Sequence, residues 1–368
     1  MDTVARIETF EAKVPLAKPL SVGSAKITYR SYTVVKVTSS DGIEGVGYCY
    51  SRGLPMGQVI TNVMTPIAIG KSAETPNELR KEILAFNWQS AEHGTFTAAL
   101  SALDLAMYDM QAKRQGKTVA AFLGSTVSQI PVYSVIGYNY GVDESGLEAE
   151  IDYAVNRGIR SFKIIVGGQS PERDAKRLEV LRNKVGANTP IGVDAFRTFK
   201  TLDNAINRVN LIKEFGINFV EDPFLESEGL LARQLREATG VPISYGESLA
   251  SSKMIAQVLD HDECDVLRID ALVVGGVDEF LTATSYAASQ GKSYSTHIHT
   301  EIHSQLAAAT SNLYIGGLEY LDPMYEIDLF HHLLHQPIQI HDGSAVLSTT
   351  PGFGIDWDWD AVLHFSQA

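Results

Sequence analysis

Five residues in the second half of this chain are of types that could share one reaction site: Asp194, Glu221, Glu247, Asp270 and His297. Each ends a short apolar run, and successive members lie 27, 26, 23 and 27 positions apart. That interval is one strand plus one helix. It predicts convergence on the mouth of a (β/α)₈ barrel, where strand ends carry the chemistry. Asp194 (GVDAF), Glu221 (FVEDP) and Glu247 (SYGES) would end three successive strands. Three carboxylates that close repel one another and raise each other's pKa. A divalent cation removes that repulsion, and an all-oxygen set with room for water and a substrate oxygen suits Mg²⁺. The competing reading makes each acid a helix N-cap, which explains one acid better than three in register.

Asp270 (LRID) and His297 (YSTH) end the next two strands. Neighbouring strand ends lie about 5 Å apart. An Asp at that distance fixes the His tautomer and makes it a competent general base. His299 and His303 follow closely and are expected at the surface or behind the site. Lys163 (SFKII) precedes the acids by one strand. At the barrel mouth it could hold a substrate carboxylate as a point charge, or it could be a strand-end lysine reaching for water. Glu319 (GGLEYLD) ends an eighth strand and could donate to a substrate oxygen or pair with Lys163. Asn139, just after the first barrel strand, is a candidate substrate contact or a turn residue.

The elements that must position these groups are legible in outline. Residues 3–50 alternate polar and apolar around an Asp41-Gly42 turn, which predicts an antiparallel meander. Two Gly/Pro-rich gaps, 16–28 and 50–58, read as mobile loops. They carry Lys18, Lys26 and Arg52, which could meet a distal substrate group or lie at the surface. From Phe96 to Gly116 the period is helical, with Leu100, Leu103, Ala106, Met107 and Met110 on one stripe. From about 130 onward eight apolar runs alternate with helical segments, which implies a parallel sheet. Eight repeats favour a closed barrel, and no GxGxxG opens a helix after the first strand.

The chain has 368 residues with a net charge of −14, which argues against nucleic acid as a partner. No run approaches a membrane span and no signal peptide is visible. Two scattered cysteines, Cys49 and Cys264, give no disulfide framework. A cytoplasmic protein is expected.

With those residues in place, the chain resembles the enolase superfamily, and within it the mandelate racemase subgroup. Asp194, Glu221 and Glu247 match its metal ligands, and Asp270 with His297 its Asp-His dyad. STHIHTEIHSQLAAAT, Leu318-Glu319 and SALDLAMYDMQAKRQGK match further segments of the family. The resemblance runs nearly end to end. It implies an α+β capping domain (1–125), a modified (β/α)₇β TIM-type barrel (126–322) and a C-terminal segment (323–368) returning to complete the cap. It also implies Mg²⁺, a small carboxylate substrate, a homo-oligomer, and abstraction of the proton α to the carboxylate through an enediolate.

Two departures bear on the reaction. Racemases of the subgroup carry Lys-x-Lys on the second barrel strand, where the second lysine is a base. Here the segment is Lys163-Ile164-Ile165, and Ile165 cannot move a proton. After the first ligand stands Phe196 instead of a polar residue. A racemase needs a base on each face, whereas dehydration needs one base that returns as the acid. The expectation is therefore an acid-sugar dehydratase making a 2-keto-3-deoxy acid, a lyase. The alternatives are a racemase or epimerase of a 2-hydroxy acid, an isomerase that recruits Tyr138 or water, and a carboxylate-binding homologue without turnover.

Overall fold

The computed structural model describes residues 2–22, 25–91, 94–138 and 143–367. Three antiparallel strands come first: β1 (Val4–Val22), β2 (Ala25–Ser39) and β3 (Glu44–Tyr50). The alternation acts as expected along β1, where Ala12, Val14 and Leu16 are buried while Lys13 and Pro15 are exposed. The turn before β3 closes with Gly42 at φ 85°, and its N–H donates to Ser39 O at 2.9 Å.

The first gap differs from the loop expected, and the second is irregular only over 51–55. Residues 16–22 and 25–28 extend β1 and β2, with Leu20 paired to Ile27 and Ser21 to Lys26. The register shifts between Pro15 and Leu20, the stretch that holds Pro19. There a missing N–H breaks no ladder bond, so proline-rich sequence remained strand. In 50–58, Tyr50 ends β3 and a helix already starts at Met56.

The helix Gly94–Arg114 is buried around its whole circumference from Phe96 to Ala112, not along one stripe. It lies between two layers. On the sheet side, a Cβ on Gly45 would collide with the carbonyl of Ala106, and one on Gly47 with that of Ala102. The glycines let strand and helix backbones touch. On the barrel side, Ser101 Oγ accepts from Gly275 N at 2.9 Å and Asp104 Oδ2 from Val277 N at 2.8 Å.

Asp104 carries a pH dependence. Burial pushes its carboxyl up to about 7, against the pull of the Val277 N–H, and its Oδ1 has no partner. An acid whose pKa is raised by folding opposes the folded state progressively from its ordinary value near 4 up to its folded value. Asp104→Asn is therefore expected to raise the melting temperature more at pH 8 than at pH 5. Equal shifts at both pH values would count against this account.

Eight parallel strands form the barrel: β4 (Gln129–Ile136), β5 (Phe162–Ile165), β6 (Ile191–Asp194), β7 (Phe219–Glu221), β8 (Ile243–Tyr245), β9 (Val266–Ile269), β10 (Ser293–Thr296) and β11 (Leu318–Tyr320). All eight apolar runs are strands. β4 to β10 pair in chain order, and β11 closes beside β4. Among the described residues no ladder joins β10 to β11, and a Tyr294–Leu313 bridge ties β10 to the segment before β11. The architecture is the expected modified barrel with an α+β cap.

The C-terminal segment touches both parts. Ser344–Val346 adds antiparallel to the start of β4. Asp109, on the long helix, accepts from Val46 N (2.9 Å) and from Phe353 N (2.7 Å), tying strand, helix and tail together. Trp359 packs edge-on against Phe10 at 5.5 Å, with Lys36 Nζ 3.9 Å from its ring centroid. Among the described residues no helix is long and apolar enough to cross a membrane.

Candidate active site

A cavity of about 400 Å³ lies between the cap and the mouth of the barrel. The barrel side presents Asp194, Asp222, Glu247, Arg268, His297 and Glu319. Asp194 and Glu221 stand opposite each other in register at the ends of β6 and β7, which is how the sequence interval becomes proximity. Glu247 follows β8, Asp270 follows β9 and His297 follows β10.

His297 Nδ1 lies 2.8 Å from Asp270 Oδ2. An ionised carboxylate only accepts, so Nδ1 carries the proton and Nε2 is left with its lone pair. Nε2 lies 3.7 Å from Glu247 Oε2, on the cavity side. Burial would raise the Asp270 carboxyl, but the hydrogen bond from His297 and the neighbouring histidines hold it well below the usual range. The dyad is thus built as a base backed by a permanent anion.

His299 and His303 are buried, 2% and 0% exposed, which places them behind the site and not at the surface. The chain turns inward because Ile298 and His299 adopt left-handed backbone (φ 35° and 51°) before the next helix. His303 Nδ1 donates to Ile298 O at 2.7 Å, and its Nε2 accepts from Ala271 N at 3.0 Å. His299 meets His297 edge-on at 5.9 Å, and burial lowers its pKa to about 4.

Lys163 is fully buried and does not line the cavity. Its ammonium reaches Glu221 at 2.5 Å, Glu319 at 2.6 Å and Asp194 at 3.5 Å. Its three donor directions are taken by acids of the site, and the pairing with Glu319 is the one foreseen. Ile165, two residues on and therefore on the same strand face, does line the cavity. It sits with Val135, Phe196, Leu321 and the half-buried Tyr138, so that part of the wall is mostly apolar. Burial pushes the Tyr138 phenol up, with Arg30 pulling against it. Tyr138 therefore keeps its proton near neutral pH and is no substitute base. Asn139 lies outside the described residues. Lys26 and Arg52 line the cavity, whereas Lys18 is exposed away from it.

Three participants escaped the sequence reading. Arg268 lies two residues before Asp270 on β9, so both project to the same side. Its guanidinium holds Glu221 (2.6 Å), Glu247 (2.9 Å) and Glu319 (2.7 Å). Arg197 and Asp222 follow the first two acids in left-handed backbone (φ 57° and 42°) and pair with each other at 2.7 Å. Arg197 also reaches Glu247 at 3.2 Å. The strand-face rule could have found Arg268. Nothing local marks the other two.

The charge of this cluster does not balance. Outside the dyad, Asp194, Glu221, Asp222, Glu226, Glu247 and Glu319 face Lys163, Arg197, Arg268 and, at 3.9 Å, Arg52. Six carboxylates against four cations leave two negative charges. Burial first, and then neighbouring carboxylates, push Glu221 and Asp222 well above the ordinary range. Asp222 Oδ1 is buried without a partner. A cluster of oxygen donors short of two positive charges fits a hard divalent cation.

Residues 4–124 match the model of the mandelate racemase/muconate lactonizing enzyme N-terminal domain, and residues 146–361 that of the enolase C-terminal domain-like family. The L-talarate/galactarate dehydratase of Salmonella typhimurium is 28% identical over 365 residues, covering 96% of this chain and 88% of the relative. A chloromuconate cycloisomerase of Delftia acidovorans is 25% identical over 382 residues, covering 99% of each. A crystal structure of the Salmonella dehydratase liganded with Mg and L-lyxarohydroxamate superposes with a TM-score of 0.87 at 25% identity, covering 98% of this chain and 92% of that one. Two matched domain models, a capped barrel and an acid ladder closed by an Asp–His pair lead to one conclusion: the chain belongs to the mandelate racemase/muconate lactonizing enzyme family of the enolase superfamily.

Proposed function

We propose that this protein is a Mg²⁺-dependent acid-sugar dehydratase. The observation that carries the reading is one-sidedness: a single Asp-backed histidine faces the cavity, and Ile165 stands where a second base would be needed. His297 Nε2 takes the proton α to the substrate carboxylate, and the β-carbon then loses its hydroxyl. The imidazolium returns the proton to that departing oxygen, so water leaves and the enol product tautomerises to a 2-keto-3-deoxy acid. Asp194, Glu221 and Glu247 would hold Mg²⁺, which supplies positive charge to the carboxylate on which negative charge builds. Lys163 and Arg268 hold these acids in place and pull against the burial that raises Glu221, and Glu319 is held between the two cations. Burial would raise the Glu319 carboxyl, but Arg268 and Lys163 bring it down to about 2, so it is an acceptor and not a donor at neutral pH.

The cap contributes Lys26, Arg30 and Arg52 to the cavity. With Arg52 already set against Glu247, Lys26 and Arg30 remain to favour a substrate with a second carboxylate, an aldarate over an aldonate. Both cysteines are free and buried, in keeping with a reducing cytoplasm.

The test is a panel of aldonates and aldarates in heavy water with Mg²⁺. A semicarbazide-positive keto product, formed faster from aldarates, is expected. Exchange of the α-proton without elimination would point to a racemase or epimerase instead. Ligand binding without either reaction would leave a binding protein.

A further inference from the structure

We propose that Glu326, His331 and His332 form a second metal site, for a zinc-class ion, on the segment that fastens the cap to the barrel. The three side chains converge from Asp322 to Leu334, just beyond β11. His331 Nε2 lies 3.0 Å from Glu326 Oε1, and His332 Nε2 lies 2.8 Å from Glu326 Oε2. One ligand atom from each residue falls within 4.8 Å of the others. The two imidazole rings lie 4.3 Å apart and tilted by 38°, with both Nε2 atoms facing the Glu326 carboxylate. Glu326 is bent back toward them by a left-handed backbone (φ 52°) that a non-glycine residue rarely adopts.

Both nitrogens of His331 face acceptors, so one of them must carry a second proton or meet a cation. The ring's Nδ1 faces the carbonyl of Asp328 at 3.1 Å while its Nε2 faces a carboxylate oxygen. Both partners are acceptors, yet a neutral imidazole has one N–H. With the proton on Nδ1, Nε2 turns a lone pair toward the carboxylate, and a metal ion between them satisfies both. A ligating histidine whose other nitrogen donates to a backbone carbonyl is the usual arrangement at zinc. Two imidazoles, one carboxylate and an open position suit Zn²⁺, whereas Mg²⁺ prefers oxygen.

The site brackets contacts that shape the cavity. Arg30 Nε donates to Ile327 O at 2.7 Å, and the Tyr32 hydroxyl donates to Asp328. Phe330 stacks on Tyr48 at 4.1 Å. Arg30 and Asp328 both line the cavity. A metal clip at this point would stiffen the seat of Arg30 without touching the acid ladder.

The probe is Co²⁺, titrated into the full-length protein with Mg²⁺ in large excess. One equivalent per chain is expected, with visible bands of the intensity given by a four- or five-coordinate nitrogen-containing site, lost on adding Zn²⁺. Zn²⁺ should also raise the melting temperature. His331→Ala and His332→Ala should each weaken binding by at least the roughly 10–100-fold that follows loss of a mere outer partner. Their melting temperatures without Zn²⁺ serve as the folding control. Absence of the bands in the wild type would overturn the proposal. So would bands that survive in the double variant but vanish in His297→Asn, since Asp270, His297 and His299 also lie close enough to share an ion.

Discussion

In heavy water the His297→Asn variant is expected to leave the α-proton of any substrate unexchanged, and turnover should fall by at least the order of 10²–10⁴ that a general base contributes. The expectation follows from one geometry. Asp270 orients Nδ1, so Nε2 is the basic atom on the cavity side. Among the described residues no second base stands on the Ile165 side to carry residual exchange. Asn keeps a polar contact to Asp270 and fills part of the ring's volume, so folding should survive. Proton NMR of the substrate α-position reads the result directly, apart from any later step. Exchange near the wild-type rate in the variant would sink the base assignment. Asp270→Asn should give a milder form of the same defect, since the imidazolium then loses its anion but not its position.

Arg268→Met should be the most destabilising single change in the site. Its guanidinium is 3% exposed and neutralises Glu221, Glu247 and Glu319 at once. Removing one partner from a buried ionic network leaves uncompensated charge, at a cost of about 3–5 kcal/mol. Metal-free protein should therefore melt at a markedly lower temperature. Mg²⁺ should recover part of the loss, because a cation then meets carboxylates that have lost their arginine. The gap between melting curves in chelator and in Mg²⁺ is expected to widen relative to wild type. A gap that stays the same or narrows would show that Arg268 and the metal do not share these acids.

The fold was largely legible because its signals are local and repeated. Eight apolar runs at βα spacing became eight strands, and acids at their ends became one rim. Errors arose where composition was read without pairing. Pro19 suggested a loop, yet the hairpin carries it through a register shift. The helix Gly94–Arg114 showed one apolar stripe, yet two glycines on β3 let the sheet cover a second face. For His299 and His303 the sequence left surface and interior open, because nothing in STHIHTEIH reveals the left-handed turn that sends the chain inward.

The sequence by itself determined which groups the site could contain: their types, their strands, and the isoleucine in place of a base. Only the tertiary structure decided which of them meet the cavity and which neutralise one another. Lys163 and Ile165 share a strand face, but Lys163 is sealed among three acids while Ile165 forms the wall. Arg268 reaches acids from β7, β8 and β11, so its role exists only once the barrel has closed. Periodicity reports the direction in which a side chain leaves its own strand. The partner of a long charged side chain is set by curvature and closure of the whole sheet, to which residues far apart in the chain contribute equally.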